Sequence, residues 1–403
     1  MNSKLTLFVA IIYSMLLNYQ LKAQNKIANV DFNHQFRMNG LRSDVICIKN
    51  DTAAYLLVQF SAPFDSIKNY NLSYSLVNST GEEIKKYYKL NRLSQYFQSE
   101  NKYGSQFGVP IKLDDHKYIA FWLSDTITKT IYPYVTETNK VQRGNGIALI
   151  SGGLNMTIFE HYREVGSTVR INGHVSVEDS VLIDFYDYHF LPAPPPMSQR
   201  KDSLRVPFKK DESTIIGIAD SFKLEQEGLF YLHFPGMKYG HAILSRQRFY
   251  PKFTSIDKLV ESLRYIATED EYNKMTTSFQ KKDLFDEFWL NNTKSPEKAK
   301  EAIMEYYKRI KEANCLFTTY KEGWKSDMGM IYIIFGAPSH VYYNDNGVMW
   351  VYNKTFELPR FAFFFNRVEL GLLGQEYKLE RKLEFEKLWF RTVSLWRTGK
   401  KEY

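Results

Sequence analysis

The hydrophobic pattern of this chain changes period near Pro251, and that change limits what the chain can fold into. Before it, short apolar runs alternate with polar residues at a period of two, the spacing that puts every second side chain on one face of a strand. After it, apolar residues recur three and four apart, as on one face of a helix, until strand-like runs return. Such a pattern predicts β-domains followed by a separate α+β module.

In the first region, residues 24–145, strands are expected at 44–49, 53–60, 72–77 and 118–123. Turn chemistry at Lys49-Asn50-Asp51 and Asn78-Ser79-Thr80-Gly81 separates them. Arg143-Gly144-Asn145-Gly146 marks a boundary. The second region, 146–252, has strand-like runs at 167–171, 181–188, 214–219 and 228–234. Both regions read as antiparallel, Ig-like β-sandwiches. An aromatic share of 16% fits such strand-rich sequence. The Pro-rich stretch 191–196 and the residues to 203 read as an exposed loop within the second sandwich, because strand-like sequence resumes after them.

The third region, 253–403, opens with Ser255 as the cap of a helix carrying Ile256, Leu259, Val260, Leu263 and Ile266 on one face. A short helix is expected at 283–291. Ser295-Pro296-Glu297 starts a longer one, with the hydroxyl at the cap and Pro at the first helical position. Its apolar stripe is Ala299, Ile303, Tyr306, Tyr307, Ile310, Ala313 and Phe317. Strands at 331–335, 348–352 and 360–365 would cover that stripe.

Residues 1–23 read as a secretory signal: Lys4, an apolar stretch over 5–17, then Leu21-Lys22-Ala23 before Gln24. The stretch is shorter than the roughly 20 residues of a membrane span. Cleavage after Ala23 would remove two lysines from a chain of net charge +8. The first cysteine, Cys47, does not follow the cleavage site, which disfavours lipidation. Basic residues are interspersed with acids, and with export this argues against nucleic acid as a partner. Cys47 lies in the alternation Val45-Ile46-Cys47-Ile48 and reads as a buried thiol; a bond to Cys315 would need one particular docking of two distant regions.

The most specific residues are Gly323-Trp324-Lys325-Ser326-Asp327, followed by Gly329, Ile331-Tyr332-Ile333-Ile334-Phe335 and Gly336-Ala337-Pro338, then Met349-Trp350-Val351-Tyr352 and Phe361-Ala362-Phe363. This run resembles the GWxTD domain of exported proteins of Bacteroidota and related bacteria, with Ser326 where the family has Thr. Phe288-Trp289, Ser295-Pro296, Tyr306-Tyr307 and Arg309-Ile310 look like its helical lead-in, and Trp389, Val393, Trp396 and Gly399 like its ending. The resemblance spans about 254–403 and implies an exported protein whose β-domains accompany the module.

In physical terms, Gly323 is expected to turn the backbone at positive φ, Trp324 to anchor that turn, and Ser326 and Asp327 to hold it before a strand that Gly336 and Pro338 end. Trp350 and Tyr352 complete the set of candidate structural or docking residues. The Gly-x-Pro, Trp-x-Tyr and Phe-rich order also resembles small outer-membrane assembly lipoproteins, which suggests docking onto envelope proteins.

Catalytic motifs are absent from the sequence: there is no His-Glu-x-x-His, no Gly-x-Ser-x-Gly and no phosphate-binding Gly loop. The nearest approach to a metal pattern is Asp187 with His189, joined by His233 or His241, short of a defended zinc set. Asp184 and Asp187 would face opposite sides of a strand. Glu269-Asp270-Glu271 reads as helix N-terminal charge. In 376–403, Trp389, Val393 and Trp396 share one helical face, suited either to closing the core or to peripheral membrane contact. These readings converge on a non-enzymatic envelope scaffold or adaptor, periplasmic or outer-membrane-associated, without cofactor or metal and with other envelope proteins as partners. The alternative is a glycan- or peptidoglycan-binding module that uses exposed aromatics.

Overall fold

The computed structural model describes residues 25–49, 54–90, 92–112, 116–137, 147–152, 157–173, 180–187, 189–199, 209–218, 220–235, 240–370 and 375–400. The signal sequence, the expected boundary at 143–146 and the turn at 50–51 lie outside the described residues, as does the side chain of Cys47.

Eight strands form the first β-unit: β1 (Ser43–Lys49), β2 (Ala54–Phe60), β3 (Tyr70–Val77), β4 (Tyr88–Leu90), β5 (Phe97–Asn101), β6 (Gly104–Ile111), β7 (Tyr118–Asp125) and β8 (Ile131–Glu137). They make two antiparallel sheets, ordered β1-β2-β6-β5 and β4-β3-β7-β8. The alternation dictates the core between them: Leu56, Val58 and Phe60 face Leu72, Tyr74, Ile119, Phe121 and Leu123. The other face of β7 is apolar too. Tyr118, Ala120 and Trp122 join the core of the C-terminal module instead of meeting solvent.

The second unit contains β9 (Ile147–Ser151), β10 (Thr157–Ile158), β11 (Tyr162–Glu164), β12 (Thr168–Gly173), β13 (Ser180–Tyr186), β14 (Glu212–Gly217), β15 (Ser221–Lys223), β16 (Gly228–His233) and β17 (His241–Arg246). Its sheets run β10-β9-β12-β15 and β11-β17-β16-β13-β14, antiparallel except where β11 pairs with β17 in parallel. Val169, Ile171, Val181, Ile183, Phe230, Leu232 and Ile243 fill the space between them. On the outer face of the larger sheet, Tyr186, Leu229, Tyr231 and Leu244 pack with Phe190 and with Tyr320 of the module.

Among the described residues, six α-helices and one sheet form the module: α1 (Ile256–Ser262), α2 (Glu269–Thr277), α3 (Lys281–Thr293), α4 (Pro296–Phe317), α5 (Asp327–Phe335), then β18 (His340–Asn344), β19 (Gly347–Tyr352), β20 (Phe361–Glu369) and β21 (Gln375–Leu379) as an antiparallel meander, and α6 (Phe385–Thr398). The expected caps are present. Ser255 and Ser295 accept from the amides of Lys258 and Lys298, and Thr268 makes a full capping box with Glu271 at the start of α2, the acid run expected there. Trp389, Val393 and Trp396 of α6 are buried in the module's core. None of the described helices is long and apolar enough to cross a membrane.

Two expectations about the elements fail. Residues 331–335 are helical, the last turns of α5, because the run is buried on every side and so carries no periodicity to separate strand from helix. The Pro-rich stretch is not a free loop. Leu191 is exposed, but Ala193 and Pro196 are buried. Ala193 N donates to Lys325 O (3.0 Å), Lys382 N to Pro196 O (3.0 Å) and Arg381 Nη2 to Pro194 O (2.9 Å). With few amide hydrogens of its own, the strap uses its carbonyls as acceptors from the module.

Candidate functional site

Gly323, Trp324, Ser326, Asp327, Gly329, Gly336, Pro338, Trp350 and Tyr352 are all buried. After α4 ends, Thr318 Oγ1 accepts from Gly323 N (3.1 Å) and Asn314 Oδ1 accepts from Trp324 N (3.0 Å), folding the motif back onto α4. Gly323 does not take the positive φ expected of it. A side chain is excluded there by close approach: a Cβ would lie 2.1 Å from Ala313 O. Trp324, at 0% exposure, packs edge-on to Phe253 and Tyr265, and the Tyr265 hydroxyl donates to Trp324 O (2.9 Å). Its indole N–H has no acceptor among the described residues.

Ser326 and Asp327 start a helix, where a tight turn leading into a strand was expected. Ser326 Oγ accepts from Gly329 N (2.9 Å) and donates to Gly323 O (2.7 Å), capping α5 while closing the preceding turn. Gly329 lies against the Gly323 carbonyl, with no room for a Cβ. Asp327 accepts from Leu379 N (3.1 Å) and pairs with Arg381, which ties the helix start to the end of β21. Burial pushes the Asp327 carboxyl up, and Arg381 offsets part of that. Gly336, at φ 82°, stops α5 in a conformation other residues resist, and its carbonyl accepts from the Tyr352 hydroxyl (2.9 Å). Arg309 and the Trp396 indole satisfy carbonyls of the last turn. Trp350 is fully buried between Phe36, Phe317 and Phe365.

The charges flanking the motif were not singled out from sequence, yet they are the most unusual feature of its surroundings. Glu322 is 2% exposed and meets Lys325 (2.7 Å), Arg246 (3.5 Å) and Lys258 (3.7 Å). Burial alone would push its carboxyl up; Lys325, Arg246 and Lys258 outweigh burial and hold it at about 2. Lys325 and Lys258 also reach Glu261, each at 2.9 Å. On the other side of the motif, Glu376 collects Lys321 (2.7 Å), Lys378 (2.8 Å) and the Tyr320 hydroxyl (2.6 Å). The signal for these residues was Lys321-Glu322 and Lys325 abutting a glycine and a tryptophan destined for the interior: charges carried in with such an anchor must find partners.

This network floors a cleft of about 290 Å³ between the second β-unit and the module. Lys258, Glu322 and Lys325 line it from the module, and Asp187, His189, Glu227 and Arg246 from the β-unit. The Arg246 Nε–H is buried and makes no hydrogen bond among the described residues, although the Glu322 carboxylate stands 3.5 Å from the nitrogen. The residues weighed as metal ligands separate. His233 bonds Asp184 (3.1 Å), a carboxylate that Ser213 and Lys210 also engage, while His241 stacks on His161 and burial lowers its pKa to about 3. Among the described residues no three His, Cys, Asp or Glu side chains are grouped to hold a metal. Cys315 is a free thiol, raised by burial.

A family model described as the GWxTD domain matches residues 228–398. The match takes in β16 and β17 of the second β-unit as well as the helices and sheet of the module, so both sides of the cleft lie partly within it. Neither the curated proteins nor the solved structures contain a match to the chain.

Proposed function

The chain is a GWxTD-domain protein, and on that premise we propose that it is an exported, non-catalytic scaffold or adaptor of the bacterial envelope, in which the GWxTD module fixes two β-units in one arrangement. The observation that carries this reading is where the motif's polar groups are spent. Every hydrogen bond and ion pair described above for Ser326, Asp327 and the Trp324 backbone is internal, and the module's core continues into the outer face of β7 and, through Tyr320, onto the sheet of the second β-unit. Side chains used in this way set geometry. Polar contacts follow the same course: Asp31 with His340 (2.8 Å), Ser79 with Asp345 (2.5 Å) and Arg367 with Glu137 join the first β-unit to the module's sheet. Export rests on the N-terminal sequence.

One observation weighs against the glycan-binding alternative. All six tryptophans are buried, at 9% exposure or less, so none offers an indole face to a sugar ring. The apolar side chains left outside include Phe279, Phe356 and Phe390, on or beside the module.

The test is photocrosslinking in native cells from a photoreactive residue placed at Phe279, Phe356 or Phe390, with sequencing of the mature N-terminus. The scaffold reading expects a chain starting at Gln24 in the envelope fraction and one reproducible protein adduct confined to one of these positions. An uncleaved chain in the cytosol, or adducts to glycan alone, would overturn it.

A further inference from the structure

The cleft beneath the strap has two poles. Its floor holds three cations, Arg246, Lys258 and Lys325, around the carboxylate of Glu322, with Glu261 also pairing Lys258 and Lys325, and Arg246 Nε–H, 3.5 Å from Glu322, makes no hydrogen bond there. Toward solvent stand Asp187, His189 and Glu227, whose side chains have no partner among the described residues. The poles differ in depth: the side chains of Glu322, Lys325 and Arg246 are 2%, 6% and 15% exposed, whereas Asp187 and His189 are exposed and Lys258, at 39%, reaches from the floor toward solvent. With three acids and three bases lining it, the cleft is neutral overall but charge-separated. A single charge of either sign meets like charges at one end of the cleft.

We infer that this cleft binds a small zwitterion, with an ammonium group held by Asp187 and Glu227 and a carboxylate held at Arg246 and Lys258. The volume of about 290 Å³ lies at the lower end of ligand clefts, roughly 300–1,000 Å³, so the occupant has amino-acid or dipeptide size. Its place at the junction of two structural units is where such sites recur. The strap contributes too: Ala193 N on Lys325 O positions the segment that begins with His189 and Phe190, so occupant and strap share one wall. A free amino acid and a peptide whose ends both fit the cleft present the same chemistry.

Calorimetric titration of the purified chain with L-alanyl-L-alanine, its N-acetyl form, its C-terminal amide and L-alanine tests the inference. The zwitterionic dipeptide or L-alanine should bind, and each blocked form should bind at least about tenfold more weakly. An Asp187→Asn, Glu227→Gln double variant should lose at least about tenfold in affinity with its melting temperature unchanged, because neither side chain has a protein partner among the described residues. L-alanine binding as tightly as the dipeptide identifies a free amino acid as the source; tighter dipeptide binding identifies a peptide. The inference fails if the blocked forms bind equally well, if no probe binds at about 10 mM, or if the double variant binds undiminished.

Discussion

Between the sheets of the first β-unit, the interior is filled by Leu56, Val58, Phe60, Phe107, Ile119, Phe121 and Leu123. Around Trp324, at the same depth, it is shared with Lys321, Glu322, Lys325, Asp327 and Glu376, each 5% exposed or less. Among the described residues of the β-units only Glu137 and Asp184 are charged and comparably buried, and Glu137 faces Arg367 of the module. The apolar interior is non-directional and tolerates repacking. The charged one depends on every partner being present, since removing one member strands the others in a medium that solvates them poorly. The module is therefore the part of the molecule expected to be most sensitive to the loss of a single charge.

Five experiments would break or sharpen that contrast. The largest effect is expected from Glu322→Leu, which leaves Lys325, Arg246 and Lys258 around an uncharged side chain and should cost about 3–5 kcal/mol in urea unfolding. Adding Lys325→Met should recover part of that loss, because the stranded charge leaves with its partner. Full additivity of the two losses would mean that the pair is not coupled. Phe121→Ala in the first sandwich should cost a similar ~3–5 kcal/mol by cavity formation, and no second substitution of a charged residue should rescue it.

The next contrast is with pH. Glu322 has a folded pKa of about 2, below the ~4.3 of an unfolded glutamate. A lowered carboxylate stabilises fully above the unfolded value, and its contribution is lost as pH falls through the folded one. Stability should therefore decline between about pH 5 and 2. Glu322→Gln should flatten that decline without abolishing it, because Glu271, held at about 2 by Arg397, titrates in the same window. Phe121→Ala should leave the slope unchanged; a flattened slope there would break the contrast.

The smaller effects concern the cap and the strap. Ser326→Ala should cost about 1 kcal/mol, and Ser326→Thr, the residue the family carries, less than about 0.5. Leu191→Ser, at the exposed start of the strap, should stay within about 0.5 kcal/mol of the parent, as surface substitutions do. A larger loss at Leu191 would place it in contact with the module.

What could be read in advance was the local physics. The apolar run over 118–123 announced a strand, and Ser255 and Ser295 announced helix starts, because caps and short apolar runs act within a few residues. The helix over 327–335 was misread because both faces are buried. The reading of Gly323 foresaw a steric demand but assigned it to the wrong cause, backbone φ, when a neighbouring carbonyl supplies it.

By itself, then, the sequence determined two strand-rich regions, a helical module with its caps, and a motif specific enough to identify the family. Only the tertiary structure decided that Tyr118, Ala120 and Trp122 face the module, that the Pro-rich strap docks on Lys325 and Arg381, and that Glu322 gathers cations from β17, α1 and its own turn. Each of these joins residues far apart in the chain. A period or a cap encodes which side of an element is apolar; which other element covers it, and which distant charge answers a buried one, follows from the packing of the whole chain.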